Sequence, residues 1–521
     1  MEEAAFDSSF LFANEEETGD EGETVEIQGN FPDWVKGTVF TSGPGKFHFK
    51  DSGFSVNHFN DGFGIICKLA ISEKKITIWK KLVQSDALKK ANVAGKTVLA
   101  EYYTSSSTDV TKSTFGRIVT LVPESTDNGN HSMCYFGDRI YTLNGLEYFR
   151  EICPTTLSTG TKYNTNKFGL MGQSPHPLVD YDGTMYNLGT IITSTGSKVK
   201  VFKFPAVKPG ENFKDNIKNI KMIATLPSSG ITYASFQHTF GMSENYFVVV
   251  KQPFVINAKK LFRSVLTGGA FKFEDFNEWH PEAIINRFII VEKSTGKIHR
   301  RKIISSEPFF FLHITNCYEE NNQLILDLLA QPDDSDALRM FLKPIIEGEC
   351  CNVVPSGTLK RFVLPLAENL QGRFGSEACL GADGTVTVTG GCMSKKGLQH
   401  SLTINPNYRF RKYRYAYGSA GFFFQGPYAN KITKIDLVTG KESSWGIGED
   451  CILGEVIFIP NPDGVDEDDG ILLSSVATGF RNGGQRYPVF IDAKTMVEVG
   501  RAELKNPVSH YCHSVFIPSI F

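Results

Sequence analysis

The chain has 521 residues, 41% of them hydrophobic and 21% charged, a globular composition that excludes a disordered or fibrous protein. No stretch approaches ~18 uninterrupted apolar residues, so no helix is expected to span a membrane. The net charge of −3 argues against a bulk nucleic-acid binder, yet ten acids and no Lys or Arg fall within residues 1–26, which leaves +7 on the remainder.

Residues 1–26 therefore read as an acidic, disordered tail, and residues 27–521 as a single domain, since no Pro/Ser-rich linker divides them. The N-terminus lacks the basic and apolar regions of a secretory signal and the Arg-rich composition of a mitochondrial transit peptide, which makes a cytoplasmic location the expectation. The ten cysteines are scattered, with only Cys350 and Cys351 adjacent and no CxxC pair. They read as reduced, mostly buried thiols rather than a disulfide framework or a zinc site.

Short β-rich runs follow in order: Tyr246–Val250, Arg287–Glu292, Gln323–Asp327, Thr385–Thr389 and Gly470–Ser474, each bounded by turn residues. Between the first two, Phe254–Leu266 mixes apolar bulk with Lys259, Lys260 and Arg263. That is the composition of an interfacial segment or of a cap helix. The best helix candidate is the short stretch Asp334–Leu342. A turn motif recurs, in Glu292-Lys-Ser-Thr-Gly296 and Asp436-Leu-Val-Thr-Gly440, with looser copies at Cys153–Leu157 and Asp492–Met496. Each follows an apolar strand and precedes another. Recurrent hairpins over a chain of this length point to an all-β fold of the β-propeller type; stacked β-sandwiches are the alternative.

Four of the eleven histidines share a setting of turn residues at the start of a strand-rich segment: His176, His238, His313 and His513. They lie 62, 75 and 200 residues apart, which is one, one and three steps for blades of roughly 70 residues. Innermost propeller strands converge on the axis, so such residues can meet there. Four imidazoles at one point suit iron, zinc or copper, against the bland reading of four satisfied core histidines. Neutral ligands also call for carboxylates that accept the outward ring N–H groups. Glu455, an acid in the apolar run Gly454–Ile459, is such a candidate.

At these residues the sequence resembles the carotenoid oxygenase family, in its animal branch of carotene-cleaving dioxygenases and retinoid isomerohydrolase. The resemblance runs from about Ile27 through Ile27–Gly37, Gly43–Phe47, His58-Phe-Asn-Asp-Gly62, the four His segments, Arg361–Leu366, Tyr413–Gly418 and Asp466–Gly470. It implies a seven-bladed β-propeller with a helical and loop cap over the iron site. It also implies one Fe(II) held by His176, His238, His313 and His513, with Glu455 as an outer partner and no catalytic side chain beyond the ligands. The implied chemistry uses O2 to split a conjugated double bond of a carotenoid or retinoid into two carbonyl products. The polyene would enter by a tunnel whose mouth carries Phe254, Leu261, Phe262 and Leu266 in peripheral contact with membrane.

Two departures accompany the resemblance. Of the family's three outer glutamates, one position is Gly145 here, with Glu147 as a substitute on the same strand face, and another is His400. Replacing either with Glu would be expected to raise iron occupancy. The family's Pro-Asp-Pro-Cys-Lys segment is Thr104–Lys112 here and has no Cys, which excludes palmitoylation there and counts against the isomerohydrolase. The leading reading is carotenoid cleavage. Isomerohydrolase-like or isomerooxygenase activity, and carotenoid binding with little turnover, are the alternatives.

Overall fold

The computed structural model describes residues 12–107, 124–193, 196–208, 211, 217–226, 232–267, 272–334, 342–343, 357–366, 377–395, 397–398, 402–420, 429–448, 451–478, 485–505 and 513–521, without the side chains of residues 265–267. The candidate helix Asp334–Leu342 and residues 108–112 of the cysteine-free segment fall mostly or wholly outside this set. Among the described residues the fold is dominated by antiparallel strands in nine sheets.

The expected strands form with small shifts at their ends: Tyr246–Lys251, Arg287–Glu292, Gln323–Ala330, Val386–Thr389 and Gly470–Thr478. Their apolar runs are continuous because both faces are covered. Val248 and Val250 point into one apolar cluster, and Phe247 and Val249 into the next, as a period of two requires. Seven clusters of this kind lie between neighbouring sheets. Phe40 and Met133 mark the first, Leu143 and Phe202 the second, Leu188 and Phe247 the third. The fourth and fifth hold Ile290 with Leu326 and Ile325 with Ala416. Ile432 with Leu472 and Leu473 with Val39 complete the set and return to the first sheet. Each fully buried aliphatic or aromatic side chain contributes about 1.5–3 kcal/mol, so these interfaces hold the sheets together. The chain ends meet in that first sheet, where His513–Ile517 pairs with Gly37–Lys46 and sets His513 opposite Ser42.

The recurrent turn has one geometry at all four places. The fifth residue returns its N–H to the first carbonyl at 2.8–2.9 Å, in Glu292–Gly296, Asp436–Gly440, Cys153–Leu157 and Asp492–Met496. That fifth residue has positive φ in every copy, at 72°, 70°, 57° and 58° respectively. Glycine adopts this conformation freely and a side chain does not, which is why the motif is clearest where it ends in Gly.

Two α-helices are described. Helix α1, Asp86–Ala94, starts at Ser85, whose Oγ accepts from Leu88 N at 3.0 Å, and stops at Gly95 in the left-handed region. The Asp127 carboxylate accepts from the first two helical N–H groups, as the positive end of a helix favours. Helix α2, Ala258–Thr267, follows directly on the strand Phe254–Asn257.

The acidic segment is corrected over residues 12–26, which lie on the fold rather than free of it; residues 1–11 are outside the described set. Phe12 is fully buried against Phe47 and Phe59, and Glu23–Glu26 adds a strand to Lys75–Leu82. The cause is charge complementarity. That strand carries Lys80 and Lys81, which pair with Glu15 at 2.9 Å and Asp20 at 3.0 Å.

Candidate metal centre

The four histidines come from loops and strand starts of different sheets. His176 sits between the strands Gly172–Gln173 and Leu178–Val179, and His238 between Tyr233–Ser235 and Gly241–Met242. His313 precedes Ile314–Glu320, and His513 begins the last strand. Cross-loop bonds fix them to one another. Ser174 Oγ accepts from His176 N and donates to the His238 carbonyl, and Thr239 Oγ1 donates to the Leu312 carbonyl at 2.6 Å.

One ring nitrogen from each of the four lies within 4.8 Å of the others. His176 Nε2 and His238 Nε2 are 3.0 Å apart, and the rings of His176 and His513 are 4.4 Å between centroids. Nitrogens that face one another so closely set lone pairs together, which a shared cation relieves. Burial, followed by the neighbouring imidazoles, holds His176 well below the usual imidazole range, and burial and His513 do the same for His238. Both are therefore neutral near pH 7, the form in which imidazole ligates. With Nε2 turned inward, Nδ1 faces out. The Nδ1 of His513 lies 3.0 Å from Glu455 Oε1, and that of His176 3.2 Å from Ser132 Oγ. The donor set fits a borderline divalent metal.

The remaining candidates fall differently. Glu147 is directed at Ser125 Oγ, 2.6 Å from its Oε1, and not at a histidine. Gly145 has φ +85°, and a Cβ there would sit 2.7 Å from the Tyr102 hydroxyl. A Glu at 145 would therefore meet the Tyr102 hydroxyl on a strained backbone, which counts against the expected gain in iron occupancy there. His400 lies outside the described residues. Phe254 is only 7% exposed, because it packs on Phe236 and Phe310, so it does not belong to a surface patch. Leu261 is half-buried and Phe262 is 39% exposed; the Leu266 side chain is outside the description. Three neighbours of the centre escaped sequence reasoning: Ser132, His131 and Tyr102. Burial pushes the His131 pKa down to about 4, and its Nε2 donates to the Asn60 carbonyl at 3.1 Å. Its ring lies 4.8 Å from that of Tyr102. No motif spacing marked these residues, because their partners are distant in sequence.

The chain is similar to known proteins over nearly its whole length. A chicken (Gallus gallus) relative, beta,beta-carotene 15,15'-dioxygenase, is 28% identical over 98% of this chain and 98% of its own. The mitochondrial carotenoid-cleaving dioxygenase of Homo sapiens is 28% identical over 95% of this chain and 88% of its own. Among solved structures, a Synechocystis apocarotenoid oxygenase superimposes with a TM-score of 0.75 at 20% identity, covering 97% of both chains. A cobalt-substituted form superimposes with a TM-score of 0.73 at 21% identity over 95% of both. The family model described as retinal pigment epithelial membrane protein matches residues 11–518, and the chain belongs to that family, the carotenoid oxygenases.

Proposed function

We propose that the protein is an iron(II)-dependent dioxygenase that cleaves a conjugated double bond of a carotenoid. The observation that carries this reading is the convergence of four imidazoles, with Glu455 behind His513, in a chain similar over nearly its full length to two carotenoid dioxygenases. His176, His238, His313 and His513 would hold the iron, and bound iron would supply the redox chemistry that lets O2 react with a polyene. The balanced reaction places one oxygen atom on each carbon of the broken C=C and releases two aldehydes. This chain's residues contribute the rest. Glu455 and Ser132 fix ring orientation and tautomer, and burial keeps His176 and His238 unprotonated.

The proposed architecture is a seven-bladed propeller over residues 27–521 with a helix-and-loop cap, supported by the seven apolar clusters that return to the first sheet. The proposed location is cytoplasmic with peripheral contact to membrane through α2; no helix among the described residues is long and apolar enough to cross a membrane.

The test is to load the purified protein with Fe(II), supply β-carotene in detergent under air, and identify products. Apocarotenals are expected. A bound but intact carotenoid would support a binding protein instead, and a cis-retinol formed from retinyl ester without O2 would support the isomerohydrolase. His313→Ala is expected to abolish iron binding and turnover together; retained activity would remove it from the ligand set.

A further inference from the structure

We infer that Ser132 is a positioning residue for the metal ligand His176, held in place by a clasp between the turn His58–Gly62 and the segment 128–131. This rests on the reading that the four histidines hold a metal. His176 Nε2 faces His238 Nε2 at 3.0 Å, so the His176 Nδ1 carries the proton and donates it to Ser132 Oγ at 3.2 Å. That contact selects the ligating tautomer and fixes the ring plane, which otherwise turns about its Cβ–Cγ bond. Ser132 itself is 2% exposed, so its hydroxyl has no competing bulk water.

The clasp explains why a single hydroxyl suffices. The Asn130 amide donates to the Asn60 carbonyl at 2.6 Å and the Gly62 carbonyl at 2.8 Å. Asn128 donates to the Gly62 carbonyl at 3.1 Å and accepts from Gly64 N at 2.8 Å. His131 Nε2 donates to the Asn60 carbonyl. Three consecutive-neighbourhood side chains thus grip one turn, and both asparagines are 1% exposed. The turn is anchored in its own right. Asp61, fully buried, accepts from Tyr102 N, Tyr103 N and the Thr104 hydroxyl at 2.6–3.2 Å. Ser132 is the first residue after this clasp and the first of the strand Ser132–Phe136, so its Oγ is delivered to His176 from a fixed backbone. His131 shares the clasp, and its bond to Asn60 directs that Nε2 away from the ligand set.

The consequence is an asymmetry between two of the ligands. A carboxylate backs His513, whereas a neutral hydroxyl backs His176, so His176 depends more on geometry than His513 does.

The experiment compares Ser132→Ala and Ser132→Thr with the natural protein, using Co(II) as the probe. Three readouts are needed: the Co(II) dissociation constant, the visible d–d spectrum, and the thermal midpoint of the metal-free protein. Ser132→Ala is expected to weaken Co(II) binding about tenfold and to alter the d–d bands at an unchanged metal-free midpoint. Ser132→Thr keeps the hydroxyl and is expected to restore both. Natural affinity and spectrum in Ser132→Ala would overturn the assignment. So would failure of Ser132→Thr to rescue, or a loss that tracks a lowered metal-free midpoint. Absence of Co(II) binding in the natural protein would instead overturn the metal-site reading on which the inference stands.

Discussion

Position 145 combines φ +85° with the Tyr102 hydroxyl 2.7 Å from where a Cβ would sit. Tyr102 Oη donates to the Asn144 carbonyl, so a side chain at 145 displaces that bond as well as straining the backbone. Gly145→Glu is expected to destabilise the protein by about 1–3 kcal/mol and to leave metal occupancy no higher; urea unfolding and metal analysis of the folded fraction check both. Asp61 gives a pH signature. Burial raises its pKa to about 7, against the donor bonds from Thr104, Tyr103 and Tyr102 that favour the carboxylate. The ordinary value is 3.8, so between about pH 4 and 7 the folded state holds a proton that the unfolded state has lost, and stability falls as pH rises through that window. Asp61→Asn removes this dependence. The stability of Asp61→Asn relative to the natural protein is expected to increase from pH 4 to 7, read as the difference in unfolding midpoint; a flat difference would mean that Asp61 titrates normally. At this scale the sequence is legible where a residue type is out of place. Glu455 in an apolar run stands out, although the structure places it between the strands Cys451–Leu453 and Ile457–Pro460, and four histidines at blade-like spacing stand out. A serine beside a proposed metal ligand looks like any serine, and its meaning depends on Asn60, Gly62, Asn128 and Asn130 meeting across some 70 residues of chain.

Among the elements, the strands were readable because both faces are buried and the run of apolar residues is unbroken, as in Tyr246–Lys251. The hairpin turns were readable because positive φ favours glycine at Gly296 and Gly440. Helix α1 was not readable from periodicity: only Ala87, Leu88 and Ala91 are buried in it, too few to make a stripe. Its signal lay at its ends, in Ser85 and Gly95. Helix α2 carries the membrane proposal. Its Lys260 is tied to Glu278 at 2.7 Å, and Glu278 also accepts from His280 and Asn257, which fixes the first turn of the helix to the strand Asn277–Trp279. Lys259 and Arg263 are exposed alongside Phe262. Phe262→Asp is expected to lower partition onto phosphatidylserine vesicles about tenfold, through lost apolar burial and added negative charge. Lys259→Ala is expected to weaken it by about 1 kcal/mol. Lys260→Ala should do less, because its charge is already met by Glu278. Vesicle sedimentation measures all three, and equal binding by Phe262→Asp would remove α2 from the contact.

For the whole molecule, the net charge of −3 hides a segment that holds the fold together. Glu15 is 7% exposed at its side chain and is shared by Lys80, 2% exposed, and Arg486, 15% exposed. Lys80 belongs to the first sheet and Arg486 to the strand Arg486–Asp492 of the last. One carboxylate therefore joins the two sheets that meet where the chain closes, beside the pairing of His513–Ile517 with Gly37–Lys46. Removing one member of a buried ion pair leaves charge behind in a low dielectric and typically costs about 3–5 kcal/mol. Glu15→Ala is expected to fall in that range, and to remain there when salt is raised to roughly 0.5 M, because a buried pair is screened little. Asp20 pairs with Lys81 but is 95% exposed, so Asp20→Ala is expected to change stability by less than about 1 kcal/mol and to lose even that effect in salt. The contrast isolates burial from charge, since both residues are acids of the same segment facing the same basic strand. Equal and salt-sensitive effects of the two substitutions, read from urea unfolding at low and high salt, would mean that the segment is held by general attraction, and that the clamp between the first and last sheets does not operate.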